Sequence, residues 1–78
     1  MPAMTEQEIT DKIATYLRAN YGETLVRCDF LDEALNDEGS GSLVTECTVR
    51  VGASNSDWRK TFTFDSGRIV DMTWQRLG

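Results

Sequence analysis

Apolar and polar positions along the chain change period once, at Gly22. Before it, Ile9, Ile13, Tyr16, Leu17 and Tyr21 recur at the spacings of a stripe on one side of a helix. The stripe opens with Thr5-Glu6-Gln7-Glu8, a capping box in which the Thr5 hydroxyl accepts from the Glu8 amide and the Glu8 carboxylate reaches back. Met4 and Ile9 stand at the two positions of a hydrophobic staple, and Gly22 suits a left-handed stop. The spacing predicts a helix over residues 5–21.

After Gly22 the period is two. Val26, Cys28 and Phe30 alternate with Arg27 and Asp29, and Leu43, Thr45, Cys47, Val49 and Val51 alternate with Val44, Glu46, Thr48 and Arg50. Trp58, Phe62 and Phe64 alternate with Arg59, Thr61 and Thr63, and Val70, Met72 and Trp74 with Ile69, Asp71 and Thr73. These are half-buried strands with one apolar row each, so Val26, Cys47, Phe62 and Val70 are expected on the same side. Connections this short join antiparallel strands, since parallel pairing needs crossovers of about a dozen residues or more. The fold class is therefore α+β, one N-terminal helix packed on a four-stranded antiparallel meander in the order 1-2-3-4. Residues 1–4 read as a tail and 5–78 as a single domain. The stretch Asn36-Asp37-Glu38-Gly39-Ser40-Gly41-Ser42 reads as a mobile connection.

Two registers follow. Asp65-Ser66-Gly67 suits a three-residue loop, which pairs Phe64 with Arg68, Phe62 with Val70, Lys60 with Met72 and Trp58 with Trp74. A two-residue loop would instead set Phe62 against Asp71 and send the apolar rows to opposite faces, so it is not expected. Between strands one and two, setting Arg27 opposite Glu46 satisfies the cross-strand charge rule and leaves Cys28 and Cys47 as diagonal neighbours.

Helix followed by a four-stranded meander resembles the cystatin-like arrangement and its smaller relatives such as PepSY domains. The resemblance is one of topology. The cystatin inhibitory Gln-x-Val-x-Gly motif is absent, and shared topology does not carry function across.

Charge narrows the classes. Of 78 residues 13 are acids and 8 are bases, a formal net charge of −5. Residues 1–41 hold nine of the acids and three of the bases. Nucleic-acid binding is not expected, because it needs clustered Lys and Arg. The beginning of the chain lacks the basic and apolar regions of a secretory signal, and no apolar run spans a membrane, so no membrane association and a cytoplasmic location are expected. Histidine is absent, which removes the commonest neutral-pH base and zinc ligand. No catalytic residue, metal site or cofactor is expected.

Three groups of side chains carry candidate chemistry. Trp58, Lys60, Met72 and Trp74 are expected to cluster on the helix side of the sheet, with Tyr16 or Tyr21 closing a small amphipathic pocket for an anionic or aromatic ligand. The plainer reading makes the tryptophans core and lets Lys60 snorkel at the rim. Asp29, Asp32, Glu33, Asp37 and Glu38 form an acidic hairpin without the spacing of a calcium loop; it reads as a solvated loop or a dock for a basic partner. Cys28 and Cys47 read as packing thiols.

Leu25, Leu31, Val44 and Ile69 are expected on the outer sheet face, where they and Asp71 on the last strand offer an interaction surface. Residues 69–77 form an edge open to strand addition by a second copy or a partner. The expected function is a non-enzymatic protein-interaction or self-associating module with an unknown partner or a homodimer. The alternative is a small-molecule-binding or catalytic domain using the aromatic pocket. An acidic mimic of nucleic acid is a third idea, with only modest charge density behind it.

Overall fold

The computed structural model describes residues 4–77. The first three residues of the expected tail, and Gly78, lie outside the described residues. The helix α1 runs Glu6–Tyr21, capped by the Thr5 hydroxyl on the Glu8 amide and by the Glu8 carboxylate on the Thr5 amide. Gly22 ends it at φ 64°, donating its N–H to Arg18 O over 3.2 Å. Ile9, Ile13 and Leu17 are the buried face, and Met4 packs against the same core.

Four strands follow, β1 (Thr24–Leu35), β2 (Gly41–Val51), β3 (Ser54–Asp65) and β4 (Arg68–Arg76), in one antiparallel sheet ordered β1-β2-β3-β4. The central strands supply most of the core: Leu43, Cys47 and Val49 from β2, Phe62 and Phe64 from β3, with Met72 from β4.

The edge strands differ from the simple alternation at three bulges. Shifts in the ladder leave Val26 and Leu31 in β1, and Val70 in β4, without a cross-strand partner. Each follows another apolar residue, in the doublets Leu25-Val26, Phe30-Leu31 and Ile69-Val70. The first member of each packs against the core, while Val26, Leu31 and Val70 are 49%, 49% and 54% exposed. The expected single row through Val26, Cys47, Phe62 and Val70 is therefore wrong at Val26 and Val70. Leu25 and Ile69 do not lie on the outer face, because the extra residue reverses the alternation around them. The doublet Leu43-Val44 in β2 carries no bulge, since a strand paired on both sides would break two ladders to accommodate one.

Both expected registers are displaced by two residues, at the cysteines in β1–β2 and beyond the Val70 bulge in β3–β4. Ser66 (φ 51°) and Gly67 (φ 81°) form a two-residue turn between Asp65 and Arg68, not a three-residue loop. Two left-handed residues in sequence are what a type I′ hairpin turn requires. The turn and the Val70 bulge together shift the pairing by two, which preserves the faces: Phe62 meets Met72, Lys60 meets Trp74, and Trp58 meets Arg76. Between β1 and β2, Cys28 lies directly opposite Cys47 and Asp29 opposite Glu46. The two carboxylates find separate cations, Arg27 for Asp29 and Arg59 for Glu46, which offsets their juxtaposition.

Of the stretch Asn36–Ser42 expected to be mobile, Gly41 and Ser42 open β2, and Asn36–Ser40 is organised by hydrogen bonds. Asn36 Oδ1 accepts from the amides of Glu38 (2.9 Å) and Ser40 (3.0 Å). Across the sheet end, the Ser66 amide donates to Ser40 Oγ and the Gly67 amide to Gly39 O, each over 2.9 Å. A Cβ on Gly39 would come within 2.9 Å of Gly67 N, so this contact needs glycine.

The sheet is longer than its cover. Strands of 11–12 residues reach about 36–40 Å, whereas a 16-residue helix reaches about 24 Å. The far ends of the central strands, near Val51, project past Tyr21, and Val51 is exposed although alternation places it on the apolar row.

Candidate functional site

Inward side chains form rows across the sheet. Phe30, Thr45, Lys60 and Trp74 are successive partners from β1 to β4, and the next row holds Cys28, Cys47, Trp58 and Arg76. Tyr21, the last residue of α1, reaches the β3–β4 side of these rows. The result is a cavity of about 180 Å³ bounded by Tyr21, Glu23, Trp58, Lys60, Met72 and Trp74.

Lys60 is its centre. The residue is 2% exposed, so it does not snorkel to the rim. Its Nζ lies 3.3 Å from Glu23 Oε1, 5.2 Å from the Trp58 ring centroid and 5.8 Å from that of Tyr21. An ammonium ion buried this deeply requires a counter-charge, and the Tyr21 and Trp58 π faces add cation–π attraction. Glu23 Oε1 is itself buried, and despite the 3.3 Å separation no donor is aligned to it for a hydrogen bond.

The two tryptophans differ. Trp58 is half-buried, its Nε1 donates to Ser56 Oγ over 2.8 Å, and the Arg76 guanidinium lies 5.5 Å from its ring centroid. Trp74 is 55% exposed and meets the Tyr21 ring edge-on at 5.9 Å. Tyr16 does not line this cavity. Its ring stands 6.1 Å from Tyr21 and edge-on to Phe62, and it lines a separate, shallow groove of about 440 Å³ with Lys12, Ala19, Arg68 and Ile69. Partial burial, followed by the nearby Tyr21 and Asp71, holds the Tyr16 phenol above its ordinary pKa.

Sequence reasoning missed Glu23 and Arg76. A cue for Glu23 existed, because a lone lysine in an otherwise apolar row demands a nearby carboxylate, and Glu23 directly follows the helix stop. Nothing comparable pointed to Arg76.

The other candidates are dispersed. Leu25 and Ile69 pack on the core, leaving exposed Leu31, half-buried Val44 and exposed Asp71 of the expected interaction surface. The outer face carries polar contacts: Arg59 with Glu46, Arg27 with Asp29 and Thr48, and Thr48 with Asp57. Of the acidic hairpin, Asp29 is engaged by Arg27, Asp37 and Glu38 sit at the loop tip, and Asp32 and Glu33 are exposed along β1. Among the described residues no three His, Cys, Asp or Glu side chains are placed to hold a metal ion, and no helix is long and apolar enough to cross a membrane.

Cys28 and Cys47 are free and their sulfurs lie 3.5 Å apart, with Thr45 Oγ1 3.1 Å from Cys47 Sγ. The hydrogen bond with Cys47, followed by burial, holds the Cys28 thiol far above its usual range. The same hydrogen bond, aided by Thr45 and the Lys60 charge against the opposing effect of burial, holds Cys47 below it.

Comparison with protein-family models, curated proteins and solved structures finds no match to this chain, so the cystatin-like resemblance remains one of element order.

Proposed function

We propose that the chain is a non-enzymatic interaction module that binds a protein surface along β4 and the aromatic rim beside it. The observation that carries this reading is Trp74, 55% exposed on the outermost strand and near Tyr21. Covering the remaining indole surface contributes about 2–3 kcal/mol, and tryptophan and tyrosine are enriched where binding energy concentrates. Exposed Val70 lies farther along the same strand. The outer sheet face, laced with ion pairs, has less apolar surface to offer. The Val70 bulge and the charges of Arg68, Asp71 and Arg76 restrain indiscriminate pairing along this edge.

Sedimentation across a concentration series tests self-association, and capture from source-cell extract on immobilised chain tests a separate partner. The reading requires one of the two, and Trp74→Ala or Val70→Lys must weaken it. A chain that is monomeric throughout and captures nothing that these variants lose overturns it.

A second reading, a small-molecule site in the cavity beside Lys60, is favoured by Glu23 Oε1, a buried acceptor without an aligned donor. Glu23 already neutralises Lys60, so the space suits a small aromatic group bearing an N–H or O–H better than an anion. Ligand screening by tryptophan emission, repeated in Glu23→Gln, tests it: saturable shifts that the variant loses support the reading, and their absence removes it.

A further inference from the structure

The β1–β2 ladder sets Cys28 directly across from Cys47 with 3.5 Å between the sulfurs. Residues so opposed in an antiparallel pair have Cα atoms about 4.5 or 5.5 Å apart, and both values fall inside the range of about 4.4–6.8 Å that a disulfide spans. Bond closure therefore needs side-chain rotation and no slippage of the strands. Access is unequal. Cys47 is buried between β1 and β3, whereas Cys28 is half-buried on an edge strand.

We propose that Cys28 and Cys47 form a reversible dithiol–disulfide couple, oxidised by a low-molecular-weight disulfide of the glutathione type, with Cys28 as the entry sulfur and Cys47 as the resolving one. Cys28 attacks one sulfur of the external disulfide while its proton passes to Cys47 3.5 Å away; the other sulfur leaves as a thiolate and takes a proton from water, and Cys47 gives its own proton back to water. Cys28 then carries a mixed disulfide. The Cys47 thiolate attacks the Cys28 sulfur, the mixed S–S bond breaks, and the second small thiolate departs and is protonated. Two protein thiols lose two electrons and two protons, and the external disulfide becomes two thiols.

The surroundings suit the second step. The Lys60 ammonium supports negative charge on Cys47, whose sulfur waits within contact of its target. The product has a built-in reporter, because Cys47 is the β2 partner of Trp58 and a disulfide formed there lies beside the indole.

The test is equilibration of the wild-type chain in glutathione buffers of increasing oxidised fraction, followed by acid quench, denaturing alkylation and intact mass measurement. The expected result is a monomer that has lost two hydrogens and both alkylatable thiols, with weakened tryptophan emission, and that dithiothreitol restores. Cys47→Ser should stop at a glutathione adduct on Cys28, and Cys28→Ser should take up none while folded. Wild-type chain that keeps both thiols in the most oxidising buffer, or that yields only intermolecular bonds or a stable adduct, overturns the proposal. Ready adduct formation at Cys47 in folded Cys28→Ser overturns the order of attack. The wild-type arm decides the couple even if a serine variant fails to fold.

Discussion

The Lys60 ammonium and the Glu23 carboxylate form a 3.3 Å ion pair beneath the Tyr21 and Trp58 rings, joining the segment just after the helix to the third strand. Removing one partner from such a pair strands the other charge out of water, which costs about 3–5 kcal/mol, whereas replacing both with apolar groups is often neutral. Glu23→Ala should therefore lower unfolding stability by about 3 kcal/mol. Adding Lys60→Met to a Glu23→Leu background should recover most of the loss in that background. Urea unfolding of the single and double variants measures the coupling, and additive losses would contradict a buried pair.

Trp58 and Trp74 should separate in both energy and optics. Trp58 is hydrogen-bonded to Ser56 and half-buried, so Trp58→Ala should cost about 3 kcal/mol. Trp74→Ala should cost about 1 kcal/mol or less, because most of that indole is already in water. Iodide should quench the emission that remains in Trp58→Phe and leave most of that in Trp74→Phe. Equal quenching of the two variants would mean that the indoles share one environment.

Two of the three apolar doublets give matched comparisons within one sheet. Leu25→Ala and Ile69→Ala should each cost about 1–2 kcal/mol, less than the loss expected for fully buried positions. Val26→Thr and Val70→Thr should each stay within about 0.5 kcal/mol of the wild type. Denaturant midpoints decide the matter, and a reversed order within either doublet would place the bulge on the wrong residue.

Alkaline pH should weaken the fold through Tyr16. Its phenol, raised by partial burial and then by Tyr21 and Asp71, keeps its proton in the folded chain at a pH where the unfolded chain releases it. The folded state then binds more protons, so stability is intact below about pH 10 and declines as pH rises from there through the folded pKa. Thermal midpoints recorded from about pH 9 to 11 should fall less steeply in Tyr16→Phe. An unchanged slope would mean that Tyr16 titrates alike in both states.

These features mark how far the sequence could be read. A change of period at Gly22 was enough for the element order, because helix and strand repeats leave distinct patterns and short connections allow only a meander. The bulges were harder. Leu25-Val26 and Ile69-Val70 look locally like Leu43-Val44, and the difference between them is whether the strand has one neighbour or two. Trp58, Lys60, Met72 and Trp74 could still be placed on one face because turn and bulge together displaced the register by an even number. Glu23 escaped because its role depends on a contact with a strand far along the chain. The cysteine pairing was misplaced because the charge rule considered Arg27, Asp29 and Glu46 alone, whereas Arg59 on the third strand supplies the missing cation.

The hydrogen bonds from Ser66 and Gly67 to Ser40 and Gly39 fasten the tips of two hairpins to each other at the end where the helix begins. Among the described residues no such hydrogen bond ties the β2–β3 tip around Gly52 to another hairpin. Breathing of the sheet should thus start there and travel toward the clasp, and deuterium should enter the amides near Val51 and Ser54 well before those of Ser66 and Gly67. The aromatic rim lies toward the loosening end, so whatever settles on Trp74 would also slow that exchange.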